Sequence, residues 1–236
     1  ELICLGIFGP KSRDLLSQIS KENFSNENFK FATAKNIKIN SINVWAQRLS
    51  YVGELGYELY IKNKKAKEIY NLIVKIGKNY DLVHCGAHTM DIMRMESGFL
   101  HWGHDISPEE NQFQAGLSFA ISFNKNFNFI GKDKLKTIKE KKLDKRFVML
   151  VLKDSSPGKP LLLQEEPIYI DNNIIGKTTS GNYSFNFNKN LSFGYIKSDL
   201  TNDELNKKNI YIEIEKKKYA AKVIFKSLKD TNFKKI

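Results

Sequence analysis

The hydrophobic periodicity of this chain changes once along its 236 residues, close to residue 146. Before that point, apolar residues alternate as in a strand or recur every three to four residues as in an amphipathic helix. After it, short apolar runs are separated by turn residues, which is typical of a small barrel or sandwich. We therefore expect two domains, an α+β domain over residues 1–140 and an all-β domain over residues 146–236.

The first domain is predicted to interleave strands and helices. Helices are indicated by apolar spacing and by start and stop signals such as Gly9-Pro10 and Gly98, at Lys11 to Ile19, Lys65 to Lys78 and about Gly86 to Ser97. Strands are expected at Leu2 to Phe8, which is interpreted as buried, at Asn43 to Leu49 and at Tyr57 to Ile61.

The second domain is preceded by a charged segment, Asp133 to Lys145, which is predicted to begin as a helix and end as a linker. Six short strands then follow in sequence. They are expected at Phe147 to Leu152, Ile168 to Ile170, Ile174 to Thr179, Leu191 to Ile196, Ile210 to Ile214 and Tyr219 to Phe225.

The net charge of +12 does not predict nucleic-acid binding, because lysines account for it and they are scattered among acids and apolar residues. Only four arginines are present, at positions 13, 48, 94 and 146. No apolar run approaches membrane-spanning length, and the start lacks the layout of a secretory signal. We expect a soluble, cytoplasmic protein with no nucleic-acid or membrane partner.

The cysteines and histidines do not form a metal-binding pattern. Cys4 and Cys85 are far apart and are expected to be small core residues. His84, His88, His101 and His104 are close in sequence but straddle a predicted helix and a loop, and His88 is flanked by residues that look buried. We therefore expect no metal site.

The run Tyr51-Val52-Gly53-Glu54-Leu55-Gly56-Tyr57-Glu58-Leu59-Tyr60 places one acid between two glycines. A flat ligand can approach such a carboxylate closely because glycine has no side chain to block it. A carboxylate also accepts two parallel N–H donors, and pterin-like rings present such a paired edge. The alternative is that Gly53 and Gly56 shape a bulge and that Glu54 is solvated.

Further blocks occur in order around this run: Leu5 to Arg13, Cys85-Gly86-Ala87 through Met93 to Gly98, Trp102 to Ile106, Gln114 to Ala120, and Phe129 to Lys132. The block Ile175 to Ser184 matches a Gly-x-x-Thr-Ser-Gly pattern in the second domain. Together they resemble the folate-binding aminomethyltransferase family, which includes the T-protein of the glycine cleavage system. The sequence around Glu54 is most similar to that of the folate domain at the C-terminal end of dimethylglycine and sarcosine dehydrogenases.

This resemblance implies a ferredoxin-like folate-binding domain, truncated at its N-terminus, followed by a small antiparallel β-barrel. Tetrahydrofolate is the implied cofactor, with Glu54 against the 2-amino and N3 edge of the pterin. Tyr51, Leu55 and Gly56 would form the wall beside it, although an aromatic residue in an alternating strand is more often core. Phe119 would pack on the folate, with core packing as the alternative.

Two more residues are candidates by resemblance. Trp102 would line the same cavity or plug the domain interface. Arg94, three residues after Asp91 on a predicted helix, is expected to pair with that acid and to orient neighbouring loops. The T-protein pattern has an arginine where this chain has Met90, which weakens a strict glycine-cleavage assignment.

The chain begins at Glu1, and the family's catalytic aspartate lies in a segment that precedes the Gly-Pro-Lys-Ser-Arg block. We therefore expect a fragment that binds folate better than it catalyses transfer, with its catalytic residue unknown. The implied one-carbon donors are an amine such as dimethylglycine or sarcosine, or aminomethyl-lipoate. The resemblance implies an upstream flavin domain or a lipoyl carrier protein as partner. No Gly-x-Gly-x-x-Gly follows a predicted strand, so we expect no flavin or nicotinamide domain within this chain itself.

Two other functions remain open from the sequence. One is a non-catalytic regulatory module of the same fold, as in the regulatory subunit of pyruvate dehydrogenase phosphatase. The other is a sulfonium-compound demethylase that passes a methyl group to folate.

Overall fold

A computed structural model describes residues 1–197 and 199–229. The described residues form two compact units, Glu1–Ser97 with Lys229, and Gly98–Leu228. The division between residues 140 and 146 expected from the sequence stays a prediction. Among the described residues, no helix combines the length and apolar character needed to span a bilayer.

The first unit contains a four-stranded antiparallel sheet in the order β1-β4-β3-β2. Its strands are β1 (Leu2–Phe8), β2 (Ala34–Ile39), β3 (Ile42–Gln47) and β4 (Gly56–Lys62), and its helices are α1 (Ser12–Ile19), α2 (Asn63–Gly77) and α3 (Ala87–Glu96). The predicted helices and strands of this region are confirmed, whereas β2 was not predicted. The predicted α+β class is also confirmed.

One face of this sheet is buried against α1 and α2. Alternate residues of β4, namely Tyr57, Leu59 and Ile61, are fully buried, as the period of two in a strand requires. Leu15 and Leu16 of α1 join the same core. Tyr57 packs edge-on against Phe24, with ring centroids 5.5 Å apart, so the strand that follows the Gly-Glu run is firmly held.

The predicted burial of the first strand is wrong. Leu2 and Ile3 are 61% and 38% exposed, because β1 is an edge strand that pairs on one side with β4. Cys4 and Cys85 are exposed rather than core residues. The residues on both sides of His88 are exposed as well, so the expectation that they are buried is wrong.

The second unit is built around a closed antiparallel barrel with strand order β10-β5-β8-β7-β6-β9. Its strands are β5 (Lys145–Leu152), β6 (Pro167–Ile170), β7 (Asn173–Ser184), β8 (Lys189–Lys197), β9 (Ile210–Ile214) and β10 (Lys217–Ile224). One helix, α4 (Lys132–Lys139), precedes the barrel in sequence, and another, α5 (Asn202–Asn206), lies between β8 and β9. The six predicted strands and the barrel are confirmed, and β7 is longer than expected.

The barrel is filled by inward-facing aliphatic side chains. Leu150, Ile168 and Ile212 are fully buried and belong to one cluster with residues from each of the other strands except β7. A bulge interrupts the pairing of β7 with β8 between Thr178 and Ser180. This bulge lies inside the block Ile175 to Ser184, which resembles the family pattern.

Candidate functional site

The run predicted to carry the ligand site forms a turn between β3 and β4, and its end is anchored to the loop before α1. The carbonyl oxygen of Leu55 accepts a hydrogen bond from the backbone N–H of Gly9 at 2.8 Å and from the hydroxyl of Ser12 at 3.2 Å. The backbone N–H of Glu54 donates to the hydroxyl of Ser50 at 3.1 Å. The turn therefore has a fixed backbone around Glu54.

Gly53 is required by both its conformation and its surroundings. Its φ angle is +68°, in the left-handed region that glycine tolerates best. A Cβ atom at this position would lie 2.0 Å from the hydroxyl oxygen of Ser97. That hydroxyl lies 3.1 Å from the carbonyl oxygen of Met93 and 3.4 Å from that of Val52, so the turn rests on the C-terminal end of α3.

The carboxylate of Glu54 is partly exposed and is ion-paired. Its side chain keeps 30% of its accessible surface, and its Oε1 atom accepts a hydrogen bond from the ammonium group of Lys229. The backbone N–H of Lys229 in turn donates to the carbonyl oxygen of Glu96, at 2.9 Å. Lys229 is thereby tied to α3 next to the turn.

The other predicted residues of this turn have different surroundings. Leu55 is 2% exposed and belongs to the core of the first unit, which favours the packing interpretation for its side chain. Gly56 is buried, and a Cβ there would lie 2.7 Å from the carbonyl oxygen of Leu49. Tyr51 is half-buried. Their role as a ligand wall stays a prediction.

Arg94 is almost fully buried on α3, with 1% of its surface exposed. Its Nε and one terminal nitrogen donate to Oδ1 of Asp91 at 2.9 Å and 2.8 Å. The expected pair is therefore confirmed. Because the same helix contacts the turn through Ser97, Arg94 is placed to support the turn, whereas a direct ligand contact stays a prediction.

Trp102 and Phe119 belong to the second unit. Their exposed fractions are 66% and 84%, so the alternative that Phe119 is a core residue is wrong. Phe119 lies in a short 3-10 turn, Ser118–Ala120. Their predicted position beside the same ligand as Glu54 stays a prediction.

The loop that carries Trp102 is fastened to the barrel by a buried carboxylate. Asp105 is 1% exposed, and its Oδ1 accepts hydrogen bonds from the hydroxyls of Thr179 at 2.6 Å and Ser180 at 2.7 Å. Its Oδ2 accepts from the backbone N–H of His101 at 2.9 Å. Neighbouring strand residues normally face opposite ways, and the bulge in β7 lets both hydroxyls reach one acid.

A tyrosine completes this network. The hydroxyl of Tyr195 donates to the backbone carbonyl of Asp105 at 2.8 Å. Burial raises the pKa of Tyr195 well above its ordinary value, and the negative charges of Glu110 and Asp105 act in the same direction. Tyr195 is therefore a neutral hydrogen-bond donor, and the network is structural.

Two cavities lie away from the Gly-Glu turn. One, of about 720 Å³, is in the first unit and is lined mainly by polar residues of α1, β2 and the β2–β3 turn. The other, of about 400 Å³, is in the second unit and is lined by Phe113, Gln114, Lys142, Leu143, Arg146 and Phe147. Neither includes Glu54, so the chemistry of the turn rather than the size of a cavity identifies the candidate site.

Sequence reasoning missed three residues that organise these regions. Lys229 resembles every other lysine of a lysine-rich chain, and it lies 175 residues from its partner Glu54. Ser97 precedes Gly98, which ends the helix, but nothing in the sequence predicts that Ser97 contacts Gly53. Asp105 was part of a recognised block, yet the bulge that gives it two hydroxyl partners has no local signature.

Comparison with known proteins agrees with this architecture. Residues 1–125 match the family model of the GCVT N-terminal domain, and residues 145–230 match that of the glycine cleavage T-protein C-terminal barrel domain. The aminomethyltransferase T of the glycine cleavage system from Bartonella henselae has the same fold. Its TM-score is 0.80 at 20% sequence identity, over 95% of this chain and 59% of that one.

Two kinds of relatives are similar in sequence. The mitochondrial dimethylglycine dehydrogenase of Homo sapiens is 35% identical over 226 residues, which is 95% of this chain but 25% of that enzyme. The aminomethyltransferase of Thermoanaerobacter pseudethanolicus is 34% identical over 235 residues, which is 100% of this chain and 61% of that enzyme. The chain thus spans about a quarter of the dehydrogenase, and by its two matched domains it belongs to the glycine cleavage T-protein family.

Proposed function

We propose that this chain binds tetrahydrofolate for the transfer of a one-carbon unit from an N-methyl amine such as dimethylglycine or sarcosine. The observation that carries the proposal is the accessible carboxylate of Glu54 in a turn with a fixed backbone. Family membership and the dehydrogenase relatives support the same function. The amine substrate and an upstream flavin-containing partner are part of the proposal.

The chemistry of the turn fits the pterin edge of folate. An ionised carboxylate is purely an acceptor, and it offers two oxygens to two adjacent N–H donors. Gly53 is itself buried, and its positive φ shapes the backbone from which the carboxylate projects. Glu54 would therefore hold the pterin, and its ionised form would favour a ring whose 2-amino and N3 positions both carry hydrogen.

The role of the surrounding residues is to keep this acceptor in place. The backbone contacts of Leu55 and the hydroxyl of Ser97 fix the turn, and the pair of buried Arg94 with half-buried Asp91 stiffens the helix on which the turn rests. Such preorganisation lowers the entropy that binding must otherwise overcome. Bound tetrahydrofolate supplies a nucleophilic nitrogen that accepts the one-carbon unit.

Calorimetric titration with tetrahydrofolate tests the proposal. The wild-type chain is compared with Glu54→Gln, which keeps the size of the side chain but replaces one acceptor by a donor. We expect the affinity to fall about tenfold or more, because a charge-assisted hydrogen bond contributes about 1.5–3 kcal/mol.

The matched control is Glu58→Gln, the same chemical change four residues later. Glu58 accepts a hydrogen bond from the hydroxyl of Tyr60 at 2.8 Å, so its carboxylate is engaged within the sheet. This variant should bind tetrahydrofolate as the wild type does. No binding by the wild type at high ligand concentration would instead favour a non-catalytic regulatory module.

A further inference from the structure

The ion pair between Lys229 and Glu54 differs from most ion pairs of the described residues in its shielding. The side chains of Lys229 and Glu54 are 19% and 30% exposed. The corresponding values are 54% and 86% for Lys11–Asp81, and 61% and 60% for Lys177–Glu165. Solvent therefore screens the Lys229–Glu54 attraction less than it screens those surface pairs.

The backbone around Lys229 keeps its side chain against the turn. The hydrogen bond from the Lys229 N–H to the carbonyl oxygen of Glu96 fixes the start of the side chain. Farther along, its Cδ atom lies 3.5 Å from the position that a Cβ of Gly53 would take. The aliphatic stem thus runs past the buried Gly53, and the ammonium group ends on Oε1 of Glu54.

A ligand with two adjacent N–H donors needs both oxygens of this carboxylate. Lys229 already donates to one of them, Oε1. The two arrangements compete, because an oxygen shared between the ammonium and one of two parallel N–H donors binds each of them less strongly.

We propose that Lys229 is a built-in competitor for Glu54, and that its ammonium group keeps the ligand site closed until a paired-donor ligand displaces it. This inference rests on the proposed function of Glu54. Lysine suits such a role, since its ammonium is a compact, well-hydrated charge on a flexible stem. An arginine would hold both oxygens at once and would be harder to displace.

The apparent affinity for a ligand is lowered by the fraction of molecules in which the site is closed. Removing the competitor should therefore tighten binding. We expect Lys229→Met to bind tetrahydrofolate about three- to tenfold more tightly than the wild type, because a partly shielded pair is stronger than an exposed one. Lys229→Arg should bind more weakly than the wild type.

The matched control is Lys226→Met, the same change at an exposed lysine three residues earlier. It should leave the affinity unchanged. A double variant, Lys229→Met with Glu54→Gln, closes a thermodynamic cycle. The gain from Lys229→Met should disappear in the Glu54→Gln background, because no carboxylate remains for which the lysine competes.

Titration of these variants by calorimetry, with thermal unfolding to verify folding, decides between the outcomes. Should Lys229→Met unfold, Lys229→Gln removes the charge with a polar side chain and gives the same comparison. If the wild type binds and the charge-removed variant binds equally or more weakly, the proposal that Lys229 competes with the ligand is wrong. The folate proposal is then unaffected. Absence of binding in both the wild type and the charge-removed variant would overturn both proposals.

Discussion

Glu54 and Asp105 are two carboxylates in turns, one in each unit, with opposite surroundings. Asp105 is 1% exposed and accepts three side-chain or backbone hydrogen bonds through its two oxygens. Glu54 keeps 30% of its side-chain surface and is paired through one oxygen with a lysine on a flexible stem. The first acid is saturated with short, fixed donors, whereas the second is held by a donor that can move.

This difference indicates how one chemical group takes two roles. Removal of a buried carboxylate lowers the free energy of unfolding, because its donors are left unpaired in the interior. A partly exposed carboxylate can exchange its partner for water or ligand at little cost. We therefore expect substitutions at Asp105 to act on stability and substitutions at Glu54 to act on binding.

The largest effect is expected for Asp105→Ala. The hydroxyls of Thr179 and Ser180 and the N–H of His101 lose their acceptor, so the free energy of unfolding should fall by about 3 kcal/mol or more. Urea denaturation of the intact chain measures it. A change below about 1 kcal/mol would contradict the structural role assigned to this acid.

A smaller but still substantial effect is expected for Gly53→Ala. A methyl group would meet the hydroxyl of Ser97 and would impose a positive φ on an L-residue, so the free energy of unfolding should fall by about 1–3 kcal/mol. Thermal unfolding measures the change.

The matched control for this change is Gly86→Ala at the start of α3. Its φ is −80° and a Cβ there has nothing within 4 Å. It should be neutral or slightly stabilising. Equal losses in the two variants would show that the turn tolerates a side chain.

The pH dependence of stability offers a third test, at Glu110. The exposure of this carboxylate lies between that of Asp105 and that of Glu54. Burial opposes ionisation of Glu110, yet hydrogen bonds from Lys145 and Ser107 hold its pKa below the ordinary value of 4.5. Its stabilising contribution is therefore present above pH 4.5 and is lost as the pH falls through the folded-state pKa.

Glu110→Gln should accordingly lower the free energy of unfolding at neutral pH and should show no deficit at strongly acidic pH. Urea denaturation at a series of pH values gives the difference between the variant and the wild type. A difference that stays constant through the acidic range would indicate that the charge of Glu110 contributes nothing.

The smallest change in stability is expected for Glu54→Gln. The free energy of unfolding should fall by about 1 kcal/mol, because a partly shielded ion pair contributes only modestly to folding. Chemical denaturation checks this value. A loss as large as that of Asp105→Ala would make Glu54 a structural acid and would remove the contrast between the two turns.

Most of the secondary structure could be predicted from the sequence, because its signals are local. Periodicity and turn residues predict the helix that ends before Gly98, the strand that begins at Gly56 and the short strands after residue 146. Exposure of β1 could not be predicted, since an apolar strand at a sheet edge has the same sequence pattern as one at its centre.

The candidate site was predicted only in part. The glycines around Glu54 predict a turn, and the acid between them indicates a ligand-binding role. Lys229 and Ser97 reach this turn through contacts that depend on the path of the whole chain, and such contacts leave no pattern in a single sequence. The pairing of Thr179 and Ser180 with one acid depends on a bulge that adds a residue to one strand.

The two sheets also differ in how they end. The barrel closes on itself through the β9–β10 pair, so each of its six described strands has a neighbour on both sides. The four-stranded sheet has two outer strands, β1 and β2, and β1 presents Leu2 and Ile3 beside a row of amide and carbonyl groups. Strand addition from another polypeptide can therefore begin at β1 or β2 but not at the barrel, which makes the first unit the one at which aggregation would start.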